Sequence, residues 1–321
     1  MDKKVYKEQV WREIDSRLTK LKQHWARGAA QVHQEAFVTS ISYSSSGFAD
    51  RDVEAALDAI VAAGFTQAEL CGQDPHVEVL PRGRALDQFR ARLEGRGLAG
   101  GTVHAPMRKN VLGAPEEDWR RDKVEVLSAY LRFTGAIGYR SMVIHPVPNP
   151  IFVRDPERAE LPGAMVAAAR RSLDELVPVA RAAGVRMLLE NLPYDCAYPL
   201  LTMEELRPLV DDYPEEAVGL VVDTGHAWTI GRDPAEQIRI AGKRLAGTHI
   251  QDVDGANPQD NHWLPGQGDL NWSDIRGALA EIDYTGPWTF EVIVARRGES
   301  AEELARLTRQ VANQWGLDDH Q

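Results

Sequence analysis

From Ala36 onward the chain alternates short apolar segments with longer amphipathic ones, eight times over. No other feature limits the fold so tightly. Strands joined by helical crossovers pair in parallel, and eight such units close into a barrel with its helices outside. The strand segments read 37–43, 67–71, 98–104, 141–145, 185–190, 218–222, 245–251 and 288–292; helical patterns fall at 50–63, 85–96, 116–137, 163–183, 204–210, 234–241, 272–282 and 300–315. Gly64, Gly97, Gly138, Gly184 and Gly286 stand between a helix and the next strand, where a left-handed terminator is expected. The longest irregular connection, 252–270, is rich in Asp, Asn, Pro and Gly, and a loop of that length is expected to carry function.

The stretch VGLVVDTGHAW at 218–228 shows what these units deliver. Its run through Val222 has no polar residue and suits a strand covered on both faces. Asp223 and His226 stand at its exit, with Thr224 and Gly225 expected to form a tight turn that lets both converge on one cation.

Before the barrel, Val10, Ile14, Leu18, Leu21 and Trp25 recur on one helical face, so residues 1–35 read as a helical extension and 36–321 as the barrel domain. That apolar stripe must be covered, either by the bottom of the barrel or by a second copy in a homo-oligomer. The N-terminus is too charged for a signal peptide and no apolar run reaches membrane-spanning length. Cys71 and Cys196 fit neither a disulfide framework nor a thiolate metal site, so a reducing cytoplasm is expected. Lys and Arg total 37 against 48 Asp and Glu, a net charge of -11, which disfavours a nucleic-acid partner. Arg108, Lys109, Arg120 and Arg121 read as solvated surface.

At the C-terminal ends of the strands stand Glu69, His104, His145, Glu190, Asp223 with His226, His249 and Glu291, while the long loop adds Asp260 and His262. A parallel barrel gathers its strand ends at one mouth, so residues remote in sequence become neighbours there. Oxygen and imidazole ligands without cysteine suit Mn²⁺, Co²⁺, Mg²⁺ or Zn²⁺. Glu69 reads as a carboxylate that orients a ligand histidine or a substrate hydroxyl rather than as a ligand. Ser44, Ser45 and Ser46 could bond a ligand's hydroxyls or equally form a polar turn, Trp228 and Trp263 could offer an apolar wall or simply pack, and Arg296 with Arg297 lies where barrels often hold phosphate or reads as solvated surface charge.

The ordered motifs VHAP at 103–106, VIHP at 143–146, LLENL at 188–192, VDTGH at 222–226, THIQD at 248–252, DNHWLPGQG at 260–268 and FEV at 290–292 resemble the xylose isomerase-like barrel superfamily. By that resemblance Glu190, Asp223, His249 and Glu291 hold one divalent cation, with Mn²⁺ foremost, and His226 contacts a small carbohydrate. Glu190 and Glu291 would remove and return a proton through a metal-stabilised enediolate, making the chain a sugar or sugar-phosphate isomerase or epimerase. The endonuclease IV branch offers an alternative: its three-zinc ligand set matches His104, His145, Glu190, Asp223, His226, His249, Asp260, His262 and Glu291 in order. Against it stand the acidic charge and Met107, where such nucleases usually carry tyrosine. A dehydratase acting on a polyol ketone or hydroxy acid would need similar groups.

Overall fold

In a computed structural model of the chain, residues 40–98 and 100–317 are described, and the expected helix over 1–35 lies outside them. Eight strands, β1 (Ile41–Ser44), β2 (Gln67–Cys71), β3 (Thr102–His104), β4 (Ser141–Ile144), β5 (Arg186–Glu190), β6 (Val218–Asp223), β7 (Leu245–Ile250) and β8 (Trp288–Phe290), close into a barrel. Each pairs in parallel with its sequence neighbour, and β1 closes on β8 with Tyr43 opposite Phe290. The crossovers carry α1 (Val53–Ala62), α2 (Arg84–Gly95), α3 (Glu117–Ala136), α4 (Leu161–Ala183) and α5 (Met203–Val210). After β6 come two helices, α6 (Thr224–Thr229) and α7 (Pro234–Ala241), followed by α8 (Trp272–Glu281) and α9 (Ala301–Gln314). The barrel read from the sequence is thus the observed fold.

Period-two alternation gives each strand two different faces. Outward, Tyr43, Leu70, Ile144, Leu189, Leu220 and Phe290 join helix residues such as Leu57, Leu131, Leu173, Ile238 and Leu304 in one continuous apolar core. Inward, Val143, Leu188 and Val221 form a separate small cluster. Each lies two residues before His145, Glu190 or Asp223, so this apolar floor sits beneath the polar mouth. Gly247 makes room for it: a Cβ there would fall 2.8 Å from Val221 Cγ2 and 3.1 Å from Leu188 Cδ1.

Local capping explains where the helices start and stop. Asp52, Asp233, Asn271 and Ser300 accept backbone N–H bonds at the starts of α1, α7, α8 and α9. Gly184 ends α4 at φ 64°, its N–H bonded to Ala180 O and Arg181 O. Gly64, Gly97 and Gly138 share that left-handed role, but Gly286 does not. Past α8 the left-handed position is Asp283 at φ 55°. Gly286 is needed for another reason, since a Cβ on it would lie 2.5 Å from the Tyr284 hydroxyl oxygen. Arg120 also departs from expectation: it is 3% exposed and held by Glu117 and Glu175 at 2.7 and 2.8 Å. Among the described residues, no helix is long and apolar enough to cross a membrane.

Candidate active site

The strand ends bring every expected site residue to the mouth. Glu69, His104, Glu190, Asp223 and His249 lie within strands β2, β3, β5, β6 and β7, and His145 and Glu291 stand one residue past β4 and β8. The turn expected at Thr224 and Gly225 is instead the first turn of α6. Asp223 caps that helix, its Oδ1 accepting from His226 N at 2.6 Å, which fixes the carboxylate and sets the imidazole over the mouth.

Four ligand candidates converge around His249. Its Nδ1 lies 2.8 Å from Glu190 Oε1, 3.3 Å from Glu291 Oε2 and 4.0 Å from Asp223 Oδ2. One atom from each of Glu190, Asp223, His249 and Glu291 falls within 4.8 Å of all the others, and all four residues are buried. On the far side of the ring, Nε2–H donates to Glu69 Oε2 at 3.1 Å. A carboxylate only accepts, so Glu69 holds a proton on Nε2, and the proton that Nδ1 shares with Glu190 is the one a cation would displace. Glu69 therefore orients the His249 ring.

Two further groups adjoin this centre. His104 Nε2 and His145 Nε2 each lie 3.3 Å from Glu190 Oε2. On the loop side, His226 Nε2 and His262 Nε2 lie 3.3 and 3.0 Å from Asp260 Oδ1. Their Nδ1 atoms are tied to Asn191 O at 2.9 Å and Glu291 O at 3.1 Å. Glu69 Oε1 is buried without a hydrogen-bond partner, and Glu190 Oε2 makes no well-directed bond despite the two imidazoles 3.3 Å away. An orphaned carboxylate oxygen costs about 1–3 kcal/mol or more, a cost that a bound cation relieves. The donor set of three carboxylates and one imidazole thus fits a divalent ion.

The electrostatics are those of a crowded anion cluster. Burial pushes the Asp223 carboxyl up to about 6, against the pull of His226. Burial alone would lower His249, but Glu69, Glu190 and Glu291 outweigh it and hold the imidazole well above its ordinary value. Glu190 is likewise held well below the usual carboxylate range, because His249, His104, His145 and His226 overcome its desolvation. At His262 burial is outweighed by Asp260, raising it to about 9, whereas burial wins at His145 and lowers it. Protonated imidazoles balance the carboxylates, and a divalent cation can take over that task.

Residues that sequence reasoning passed over hold this arrangement. Asn191 spans β5 and β6, donating to Asp223 O at 3.0 Å and accepting from Asp223 N at 2.8 Å. Asp252 secures the long loop: Oδ1 accepts from Val253 N and Leu270 N, and Oδ2 from Gly266 N and Trp272 Nε1. Gln251 sits between Asp223 and Asp260. These amides and the Asp252 carboxylate belong to quoted motifs, LLENL and THIQD, but only the fold reveals their partners. Of the serines, Ser46 Oγ contacts Ser44 Oγ at 2.8 Å and Glu291 Oε1 at 3.3 Å, while Ser45 Oγ accepts from Cys71 N. Arg296 lies over the Trp263 ring, its guanidinium carbon 4.1 Å from the centroid.

The family profile described as xylose isomerase-like TIM barrel matches residues 57–311. An uncharacterized protein of Methanocaldococcus jannaschii is 28% identical over 144 residues, 44% of this chain and 49% of that protein. D-psicose 3-epimerase of Enterocloster bolteae is 33% identical over 138 residues, 43% of this chain and 44% of that protein. The chain spans about half the length of these two relatives. A probable endonuclease 4 of Bacillus licheniformis is 24% identical over 265 residues, covering 70% of this chain and 83% of that protein. Among solved structures, L-ribulose 3-epimerase has TM-score 0.71 at 20% identity, covering 87% of this chain and 94% of that one. A D-tagatose 3-epimerase-like protein has TM-score 0.70 at 20% identity, covering 87% and 100%. At these identities the structural likeness speaks to the fold alone.

Proposed function

Starting from the fact that the chain belongs to the xylose isomerase-like TIM barrel family, we propose that it is a divalent-metal-dependent isomerase or epimerase of a small sugar or sugar phosphate. The observation that carries this reading is the convergence of ligand atoms from Glu190, Asp223, His249 and Glu291 within 4.8 Å at the barrel mouth. The epimerases among its relatives support the substrate class. Glu190, Asp223, His249 and Glu291 would hold the cation, which when bound supplies a charge that polarises adjacent substrate oxygens and acidifies the C–H beside a carbonyl.

The remaining steps belong to side chains. Glu190 and Glu291 come from strands on different sides of the barrel, so one carboxylate removes a proton from one face of the substrate carbon while the other returns it. His226 Nε2 and Asp260, at the loop side, orient substrate hydroxyls. Glu69 keeps His249 in register, and the 252–270 loop limits water at the mouth.

Counting the metals in protein purified without added metal or chelator tests this first. About one Mn²⁺, Co²⁺ or Mg²⁺ per chain is expected, followed by solvent deuterium entering ketoses next to the carbonyl. Glu190→Gln and Glu291→Gln should each lower that exchange by about 10²–10⁴ while the metal stays bound. Full activity in both would sink the two-carboxylate mechanism.

One observation favours a second reading. The His104–Glu190–His249 group shares Glu190 and His249 with the four-ligand centre and the His226–Asp260–His262 group adjoins it, so more than one ion could be held there. About three Zn²⁺ per chain would shift the assignment to a phosphodiesterase resembling endonuclease IV. His104→Ala or Asp260→Asn would then abolish cleavage of an abasic-site duplex.

A further inference from the structure

Gln251 follows β7 by one residue, is fully buried, and touches both halves of the site. Its Oε1 accepts from His262 N at 2.7 Å. A backbone N–H can only donate, which fixes the orientation of the carboxamide and turns its NH2 toward the carboxylates. That nitrogen lies 3.1 and 3.2 Å from Asp223 Oδ1 and Oδ2, and 3.0 Å from Asp260 Oδ1. The side chain packs flat against the first turn of α6, where a Cβ on Gly225 would fall 2.4 Å from Gln251 Cδ. The absence of a side chain at Gly225 is what leaves room for this placement.

We propose that Gln251 is a positioning residue that couples cation binding at Asp223 to closure of the 260–262 segment over the site. The carboxamide offers one N–H to Asp223 and one to Asp260, so a single NH2 group is drawn toward both carboxylates at once. A cation at Asp223 draws off its negative charge and makes it a poorer acceptor. The amide then bonds more strongly to Asp260, while its Oε1 continues to hold the His262 amide. Loop closure and cation binding reinforce one another, and by linkage the effect is reciprocal. Asp252 does not take part, because its four bonds hold the base of the loop. His262 O accepts separately from Ile293 N and Val294 N, which keeps the segment near its place when Gln251 is replaced.

Hydrogen exchange of the 259–264 amides, followed by mass spectrometry with and without Mn²⁺ and no substrate, tests the coupling. In the natural chain Mn²⁺ should slow exchange there roughly five-fold or more. Gln251→Met keeps the length but removes every polar contact. It should still bind Mn²⁺, more weakly by a similar factor, with the slowing lost. Gln251→Leu, which likewise removes every polar contact, should behave alike and serves if the methionine variant does not fold.

Slowing that persists in either folded variant would overturn the proposal, because the loop would then be answering a cation held directly by Asp260 and His262. An absence of slowing in the natural chain would overturn it as well. The inference rests on the reading of the four-ligand centre as a cation site and is independent of the sugar. A chain that binds no Mn²⁺ removes both, whereas binding without loop protection removes only the coupling.

Discussion

The two faces of the same strands are built to opposite requirements. Leu189 and Leu220 point outward into a continuous apolar core shared with the helices, while their neighbours Leu188 and Val221 belong to a small floor with Val143, against which Ala246 packs. Above that floor, Glu69, Glu190, Asp223 and Glu291 crowd against His104, His145 and His249, all buried. Each large apolar side chain outside adds about 1.5–3 kcal/mol of stability, whereas buried charges oppose folding unless well paired. Because the outer shell supplies most of the apolar burial and the strand ladders close the barrel, the lumen can keep groups that work against folding. Stability and chemistry are thus separated by a single strand's thickness.

That separation can be broken most forcefully from the shell. Leu173→Ala, on the barrel-facing side of α4, should cost about 2–5 kcal/mol in denaturant unfolding and leave cation affinity unchanged. A large loss of affinity with it would show that the two regions are not independent.

The converse substitution lies in the lumen. Glu69→Leu should weaken cation binding by about 10- to 100-fold in a competition titration, with stability of the metal-free protein unchanged or raised. Glu69→Gln, whose carbonyl oxygen can still accept from His249 Nε2–H, should recover part of that affinity. Equal loss in both variants would point to lost charge rather than lost orientation.

The smallest effect sharpens the contrast by pH. Burial holds the folded Asp223 carboxyl near a pKa of about 6, whereas the unfolded carboxyl ionises near 4. The folded state therefore binds more protons in that interval, and Asp223's contribution to stability is present below pH ~4 and lost as pH rises through ~6. A cation replaces the proton. The Tm increase caused by Mn²⁺ should thus be larger at pH 7.5 than at pH 5, by roughly 2 °C or more. A shift of equal size at both values would remove Asp223 from the ligand set.

The barrel and its mouth are largely legible in the sequence, because both follow from repetition. Eight apolar segments announce eight strands, and polar residues at their ends mark the mouth, where Glu190, Asp223, His249 and Glu291 stand among the candidates and are set apart by the family resemblance. What escapes is set by register across strands. Nothing in LLENL says that the Asn191 amide grips Asp223, and nothing in THIQD says that Asp252 takes four donors, since those partners are 32 residues away or scattered along a loop. Thr224 and Gly225 look like a turn because both are poor helix formers, yet the Asp223 cap and the close approach of Gln251 make them a helix start. Charge alone does not place Arg120, whose helix position faces Glu175 rather than water.

The way Asp252 closes the long loop has a further use. Both ends are stitched to one buried carboxylate, so the middle, where Ala256, Asn257 and Gln259 lie exposed, behaves as a cassette. Residues inserted there would lengthen what overhangs the mouth without disturbing the anchored ends. An engineer seeking to change which molecules the barrel admits would begin at those three positions, with the ligand constellation left as it stands.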